Sequence, residues 1–185
     1  MERLREIIEI LETLKEKESE KLRNAANLIA MTLKSGNTIF WCGNGGSAAQ
    51  AMHFSTELMV KYKSNRRPFQ SIALSADPVL LTAAGNDFGF DEIFSRQIEG
   101  LGRENDLLVA ITTSGSSANI LKAIKKAKEY KIKVILITGE KALELDDDVN
   151  VAIHVPSHNT PLIQECHEII GHILVEEAEK LLGGF

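Results

Sequence analysis

Cysteine, aromatic residues, long apolar runs and positive charge are all scarce in this sequence, and each scarcity removes a class of function. Two cysteines, Cys42 and Cys166, lie far apart with no CxxC pair. That excludes a disulfide framework and fits reduced thiols, to which we assign no chemical role. Aromatics make up 5% of the chain, and 26 acidic against 21 basic residues give a net charge of −5. A nucleic-acid-binding face needs clustered Lys and Arg, so none is expected. The one basic cluster, Lys61, Lys63, Arg66 and Arg67, is short and reads as a solvated loop. No stretch approaches the roughly 18 uncharged apolar residues of a membrane span. The N-terminus carries Glu2, Arg3, Arg5 and Glu6 rather than a basic stub before an apolar run, so a soluble, unexported, cytoplasmic protein without membrane partners is expected.

With 185 residues, 44% of them hydrophobic, the chain suits one domain of ordinary size. Residues 2–35 contain neither Gly nor Pro, and Leu4, Ile7, Ile8, Leu11, Leu14, then Leu22, Ala25, Ala26, Ile29 and Leu33 recur at helical spacing. The charged stretch 15–21 divides this segment into two helices, with Ser19 as candidate cap of the second and Gly36 as its end. Beyond it, apolar runs at 38–42, 71–74, 107–111, 133–138 and 151–155 predict five strands. Helical patterns at 47–60, 78–84, 91–101 and 118–131 intervene, and a long helix covers 162–182. Alternation of this kind predicts an α/β fold: a five-stranded, mostly parallel sheet covered on both faces, in a flavodoxin-like or Rossmann-like three-layer arrangement behind an N-terminal helical segment. The expected division is residues 1–35 for oligomer packing and 36–185 for the α/β core with its C-terminal helix.

Ligands of open α/β sheets gather at the carboxyl ends of strands, which directs attention to two loops. Gly43-Asn44-Gly45-Gly46-Ser47 joins the first strand to a helix. Glycines admit close backbone approach, and free amides at a helix start favour an anion or sugar oxygens. The run is not GxGxxG and lacks a Walker lysine, so a P-loop is excluded, while a turn serving only close packing stays open. Thr112-Thr113-Ser114-Gly115-Ser116-Ser117 follows the third strand and leads into Ala118-Asn119-Ile120. Five hydroxyls before a helix N-terminus can surround a phosphate with neutral donors; the plainer alternative is a Ser/Thr-rich capping loop.

His53 and Glu57 are one turn apart on the helix predicted at 47–60, about 40° apart on one face, with Gln50 in the same lane. Phe54 and Leu58 flank that lane on one side, Ala49 and Val60 on the other. A polar lane bordered by apolar residues predicts a helix enclosed by protein, whose imidazole and carboxylate meet each other, a metal or a substrate. In the last helix, Cys166, Ile169, Ile170 and Ile173 form an apolar face, whereas His172 falls among Glu165, Glu168, Glu176 and Glu179. The pattern alone makes His172 a solvated histidine with helical ion-pair neighbours.

These residues together resemble the SIS (sugar isomerase) domain family over nearly the whole length of the chain. CGNGGSAA (42–49), AMHFSTEL (51–58), AAGNDFGFDEIFSRQ (83–97), TTSGSSANILKA (112–123) and IQECHEIIGH (163–172) carry the likeness. The resemblance implies a single SIS domain and one divalent metal per subunit, usually zinc, on His53, Glu57, Gln164 and His172. It implies substrate contacts from Asn44, Gly45, Gly46 and Ser47, from Asn86 and Asp87, and from Thr112, Thr113, Ser114 and Ser117, with Glu57 and Gln164 also at the substrate. It further implies a homotetramer with active sites at subunit interfaces, and it reverses the reading of His172. Residues eight apart on one helix are separated by about 12 Å along its axis, so Gln164 and His172 reach one ion only if the helix starts after Gln164 or subunits share the site. Three positions depart from the family pattern: Leu162 stands where Arg is common, Thr112 where Ser is common, and Gly139-Glu140-Lys141 lacks a frequent glycine-rich turn.

The activity so implied is aldose-ketose isomerisation of sedoheptulose 7-phosphate to D-glycero-D-manno-heptose 7-phosphate through an enediol, opening ADP- or GDP-heptose and lipopolysaccharide biosynthesis. It needs a base, an acid and stabilisation of a developing oxyanion. Glu57 is the candidate base and His172 the candidate acid, with the metal polarising the carbonyl. Two His, one Glu and one amide oxygen suit zinc, with other divalent ions left open. Three rivals share the fold: a non-catalytic replication-initiator-associating protein, a sugar-phosphate-binding regulator, and an isomerase of another sugar phosphate.

Overall fold

The computed structural model describes residues 2–140 and 148–183. Two N-terminal helices, α1 (Glu2–Lys17) and α2 (Ser19–Lys34), precede a five-stranded sheet of β1 (Ile39–Gly43), β2 (Ser71–Ala73), β3 (Leu107–Thr112), β4 (Lys133–Gly139) and β5 (Val151–Val155). Between strands lie α3 (Gly46–Met59), α4 (Pro78–Phe88), α5 (Ser95–Leu101) and α6 (Ala118–Glu129), and the chain closes on α7 (Thr160–Leu181). The strand order is β2-β1-β3-β4-β5, and all four pairings are parallel. β1 and β3 are buried along their whole length, as parallel strands covered by helices must be.

Alternate strand residues feed two cores. Ile39, Trp41, Val109, Ile111, Ile135, Ile137 and Ile153 pack with apolar residues of α1, α2, α3 and α7. Phe40, Cys42, Leu108, Ala110, Val134 and Leu136 pack with α4, α5 and α6. Burial pushes the Cys42 thiol up to about 12 and Cys166 up to about 11, so both are unreactive packing residues.

Several expectations need correction. Ser19 does not cap α2: its hydroxyl donates to the carbonyl of Lys15, and backbone bonds from Glu18 to Leu14 and from Leu22 to Glu18 carry the chain almost continuously from α1 into α2. α4 runs on to Phe88, past the expected end at 84, so Asn86 and Asp87 are helical. The helix expected at 91–101 is divided into a 3₁₀ turn, Phe90–Glu92, and α5. The last helix starts at Thr160, before Gln164, so a late start cannot bring Gln164 and His172 to one ion.

Lys61, Lys63 and Arg67 of the basic cluster are exposed as expected, but Arg66 is not solvated. The Arg66 side chain is 1% exposed and pairs with Glu179 at 2.8 Å, while also donating to the carbonyls of Leu58, Glu57 and Arg67. Burial pulls the Glu179 carboxyl upward, but bonds from the Ser64 amide, Arg66 and the Lys63 amide outweigh it and leave the group below its ordinary range. This anchor fixes the segment after α3 against α7. Charge pattern on a helix could not reveal it, because the partner is 113 residues away.

Candidate active site

In a sheet ordered 2-1-3-4-5 the direction of strand addition reverses between β1 and β3, and a crevice opens there at their carboxyl ends. The glycine loop follows β1 and the hydroxyl loop follows β3, so the two stand side by side. Their tie is a pair of reciprocal amide bonds: Asn44 Nδ2 donates to Asn119 Oδ1 at 2.9 Å, and Asn119 Nδ2 to Asn44 Oδ1 at 2.8 Å. Asn44, expected as a substrate contact, therefore also serves as a strut.

The glycines have distinct duties. A Cβ at Gly43 would lie 2.5 Å from the Ser47 carbonyl, so only glycine permits the tight turn into α3. Gly45 sits at φ +55 as N-cap of α3, a conformation L side chains rarely adopt. A Cβ at Gly46 would lie 2.5 Å from Gln164 Nε2, which places the Gln164 amide directly against the loop.

In the hydroxyl loop Thr112 is buried and its Oγ1 accepts the Gly115 amide at 3.2 Å, shaping the turn. Its replacement of Ser thus keeps the bond that matters. Ser114 Oγ accepts from Ser116. Ser117 is the N-cap of α6 but makes no side-chain cap bond, and Thr113 Oγ1 makes no hydrogen bond among the described residues. Thr113, Ser117 and the Ala118 and Asn119 amides are donors free for an anion, while the Ile120 amide is taken by the Ser117 carbonyl at 3.0 Å. Leu162, in place of Arg, is buried, and Lys141 of the Gly139-Glu140-Lys141 departure lies outside the described residues.

The predicted polar lane of α3 meets a second lane on α7. The helices run alongside each other in the same direction, and Gly171 lets Phe54 approach so closely that a Cβ there would fall 2.0 Å from the ring. Gln164, Glu168 and His172 recur every four residues along α7 and face Gly46, Gln50 and His53 in turn. Gln50 Nε2 donates to the Gln164 carbonyl at 2.7 Å and to Glu168 Oε2 at 3.1 Å. His53 Nε2 is 3.0 Å from His172 Nε2 and 3.7 Å from Glu57 Oε1. His172 keeps part of what the helical pattern suggested, being 37% exposed with Glu168 at 4.0 Å one turn before it, but its ring also stacks on Tyr62 at 5.7 Å and meets Phe54 edge-on.

One ligand atom from each of His53, Glu57 and His172 lies within 4.8 Å of the others, a spacing one cation can span. Two imidazoles and a carboxylate are a donor set that zinc accepts, so these residues fit a metal. Gln164 is not brought to them; its side chain stays at the glycine loop. Asn86 and Asp87 are exposed on α4, where Asn86 donates to Asp87 at 2.8 Å, and no hydrogen bond ties either to the two loops. Asp87 instead borders a separate cavity of about 410 Å³ with Phe88 and Arg96.

Sequence reasoning missed Asn119, Tyr62, Glu168 and the buried His167. Glu168 carried a signal, since it lies in the same four-residue lane as Gln164 and His172. Asn119 carried none, because an amide at the second position of a helix reads as an ordinary first-turn residue.

A parallel sheet with two small-residue loops at its switch point and a histidine-carboxylate cluster beside them defines a sugar-phosphate-handling α/β domain. The SIS domain family matches residues 4–139. The chain is 42% identical to the phosphoheptose isomerase of Aliarcobacter butzleri over 92% of its length and 88% of that protein's. It is 45% identical to the phosphoheptose isomerase of Rhodospirillum rubrum over 87% of its length and 86% of that protein's. The solved phosphoheptose isomerase of Neisseria gonorrhoeae superposes with a TM-score of 0.89 at 36% identity, covering 96% of this chain and 95% of that one. The chain belongs to the SIS domain family, in its phosphoheptose isomerase branch.

Proposed function

We propose that the protein isomerises sedoheptulose 7-phosphate to D-glycero-D-manno-heptose 7-phosphate, at the head of nucleotide-activated heptose synthesis. The observation that carries this reading is the cluster of His53, Glu57 and His172 beside the switch-point crevice, in a chain 40–45% identical to several phosphoheptose isomerases over most of its length. Thr113, Ser114, Ser117 and the amides opening α6 hold the phosphate with neutral donors. Asn44, Gly45, Gly46, Ser47 and Gln164 border the sugar. Glu57 takes the proton from the carbon beside the carbonyl, and His172 serves the sugar oxygens, completing transfer between adjacent carbons through the enediol. Bound on His53, Glu57 and His172, zinc supplies Lewis-acid polarisation of the carbonyl. A carboxylate committed to a cation is a weaker base, so with an ion bound Glu57 would alternate between the two duties, or the ion would mainly orient the sugar.

We also assign a homotetrameric, cytoplasmic assembly, with Asn86 and Asp87 of one subunit completing the site of another. Gln164, held at its own glycine loop, serves the sugar rather than an ion on His172, which lies eight residues further along one continuous helix. Val79, Phe88 and Phe90 are 74%, 55% and 63% exposed around Asn86 and Asp87, an apolar surface suited to burial between subunits. Residues 1–35 are the expected packing segment. No helix among the described residues is long and apolar enough to cross a membrane.

The test is conversion of sedoheptulose 7-phosphate by the purified protein, before and after chelation and zinc restoration, alongside Glu57→Gln and His172→Gln. Turnover by wild type and a loss of about 10²–10⁴ in each variant is the expected result. Absence of turnover under every metal condition would favour a sugar-phosphate-binding protein.

A further inference from the structure

Glu168 lies on α7 one turn before His172, and the isomerase reading gives it no task. Its Oε1 is 3.4 Å from His53 Nε2 and 4.0 Å from His172 Nε2. The ligands of a tetrahedral zinc, each at about 2.0–2.1 Å, are separated from one another by about 3.3 Å. The His53–His172 spacing of 3.0 Å, the His53–Glu57 spacing of 3.7 Å and the His53–Glu168 spacing of 3.4 Å scatter about that value, and the His172–Glu168 spacing of 4.0 Å lies beyond it. The other oxygen, Oε2, is held by Gln50 Nε2 at 3.1 Å, and the same amide is anchored on the Gln164 carbonyl at 2.7 Å. A ligating carboxylate characteristically has its second oxygen restrained in this way, which fixes its rotamer before the ion arrives. Gln164, by contrast, points its amide at Gly46.

We propose that Glu168 is a cation ligand of this protein, joining His53, Glu57 and His172, so that the ion is held from within one chain by two imidazoles and two carboxylates. This rests on the reading of the cluster as a divalent-cation site. The second carboxylate balances the charge of a divalent ion. Were an ion bound, three protein ligands would remain for it when Glu57 serves as base.

Zinc and cobalt binding to the full-length, metal-stripped protein, measured by chelator competition, tests the assignment together with the cobalt absorption spectrum. Glu168→Gln is expected to weaken binding at least about tenfold and to alter the cobalt d–d bands. Glu177→Gln, which removes a carboxylate bonded only to Lys180 on the same helix, is expected to change neither. Glu168→Asp, a milder change kept as the informative variant should Glu168→Gln not fold, is expected to fall between wild type and Glu168→Gln. Cation binding by wild type that Glu168→Gln and Glu168→Asp match within about threefold, with superimposable spectra, would overturn the role of Glu168 alone. A wild-type protein that binds neither ion would overturn the cation site itself.

Discussion

Asn44 and Asn119 each donate a side-chain amide proton to the other, at 2.9 and 2.8 Å, and so close the crevice between the loop after β1 and the helix after β3. Asn119 is 2% exposed, so removing one member strands the other's amide in a partly buried place. Asn119→Ala is expected to cost about 1–3 kcal/mol of stability. Because it frees two substrate loops from each other, it is also expected to lose about tenfold or more in kcat/KM. Thermal melts and steady-state kinetics on one preparation check both, and a destabilised enzyme with unchanged kcat/KM would deny the strut its role in the site.

Two glycines facing α7 and α3 should respond differently to alanine. At Gly46 the new methyl meets the flexible end of Gln164, 2.5–2.9 Å away, so the side chain can swing aside. Gly46→Ala is expected to leave the melting temperature within a few degrees while lowering activity, because Gln164 is displaced from the loop. At Gly171 the methyl meets the fully buried Phe54 ring at 2.0–2.4 Å, where nothing can yield without parting the helices. Gly171→Ala is expected to cost about 1–3 kcal/mol or more by overpacking. Denaturant midpoints of both variants decide it, and the reverse ranking would be inconsistent with this packing.

The Arg66–Glu179 pair joins the turn after α3 to the end of α7, with side chains 1% and 5% exposed. Arg66→Met leaves a buried carboxylate without its guanidinium and is expected to cost about 3–5 kcal/mol. The double variant Arg66→Met, Glu179→Leu removes both charges and should recover much of that loss, although the amides of Lys63 and Ser64 then lack their acceptor. Urea unfolding of the two single variants and the double gives the coupling energy; additive losses would mean that the charges do not act as a pair.

What the sequence disclosed and what it hid follow one physical division. Strands and helices were legible because their residues alternate in period with local geometry: β1 and β3 are apolar runs, and His53 with Glu57 lie one helical turn apart whatever surrounds them. The position of His172 was not legible from its own helix. Its acidic neighbours on α7 predict solvent, whereas Tyr62, Phe54 and His53, which in fact surround it, come from a segment more than a hundred residues earlier. Arg66 was misread for the same reason, as one of four close cations whose buried partner is remote. Family resemblance corrected His172 because a shared motif carries tertiary information that periodicity lacks; it offered nothing for Arg66 or Glu168, which lie outside its metal and substrate positions.

His167 sits on α7 between the site lane and the core, fully buried, and neither ring nitrogen makes a hydrogen bond among the described residues. Burial pushes its pKa down to about 4 from an ordinary 6.5, and the Thr138 backbone offsets only part of that. Between these two values the unfolded chain binds a proton that the folded chain refuses, so stability is full above pH 6.5 and falls as pH drops toward 4. From pH 7 to pH 5 this one residue should remove about 2 kcal/mol. Glu179, whose pKa is also lowered in the folded state, shares that proton preference, but its contribution persists down to the ordinary carboxylate range and is lost only below it. The two can therefore be separated by pH. His167→Met fills similar volume without titrating, and its stability difference between pH 7 and pH 5 is expected to shrink by about 2 kcal/mol relative to wild type, as read from urea unfolding. An unchanged difference would mean that the imidazole takes up its proton inside the fold, and the α7–β4 interface would then have to admit water or a partner for it.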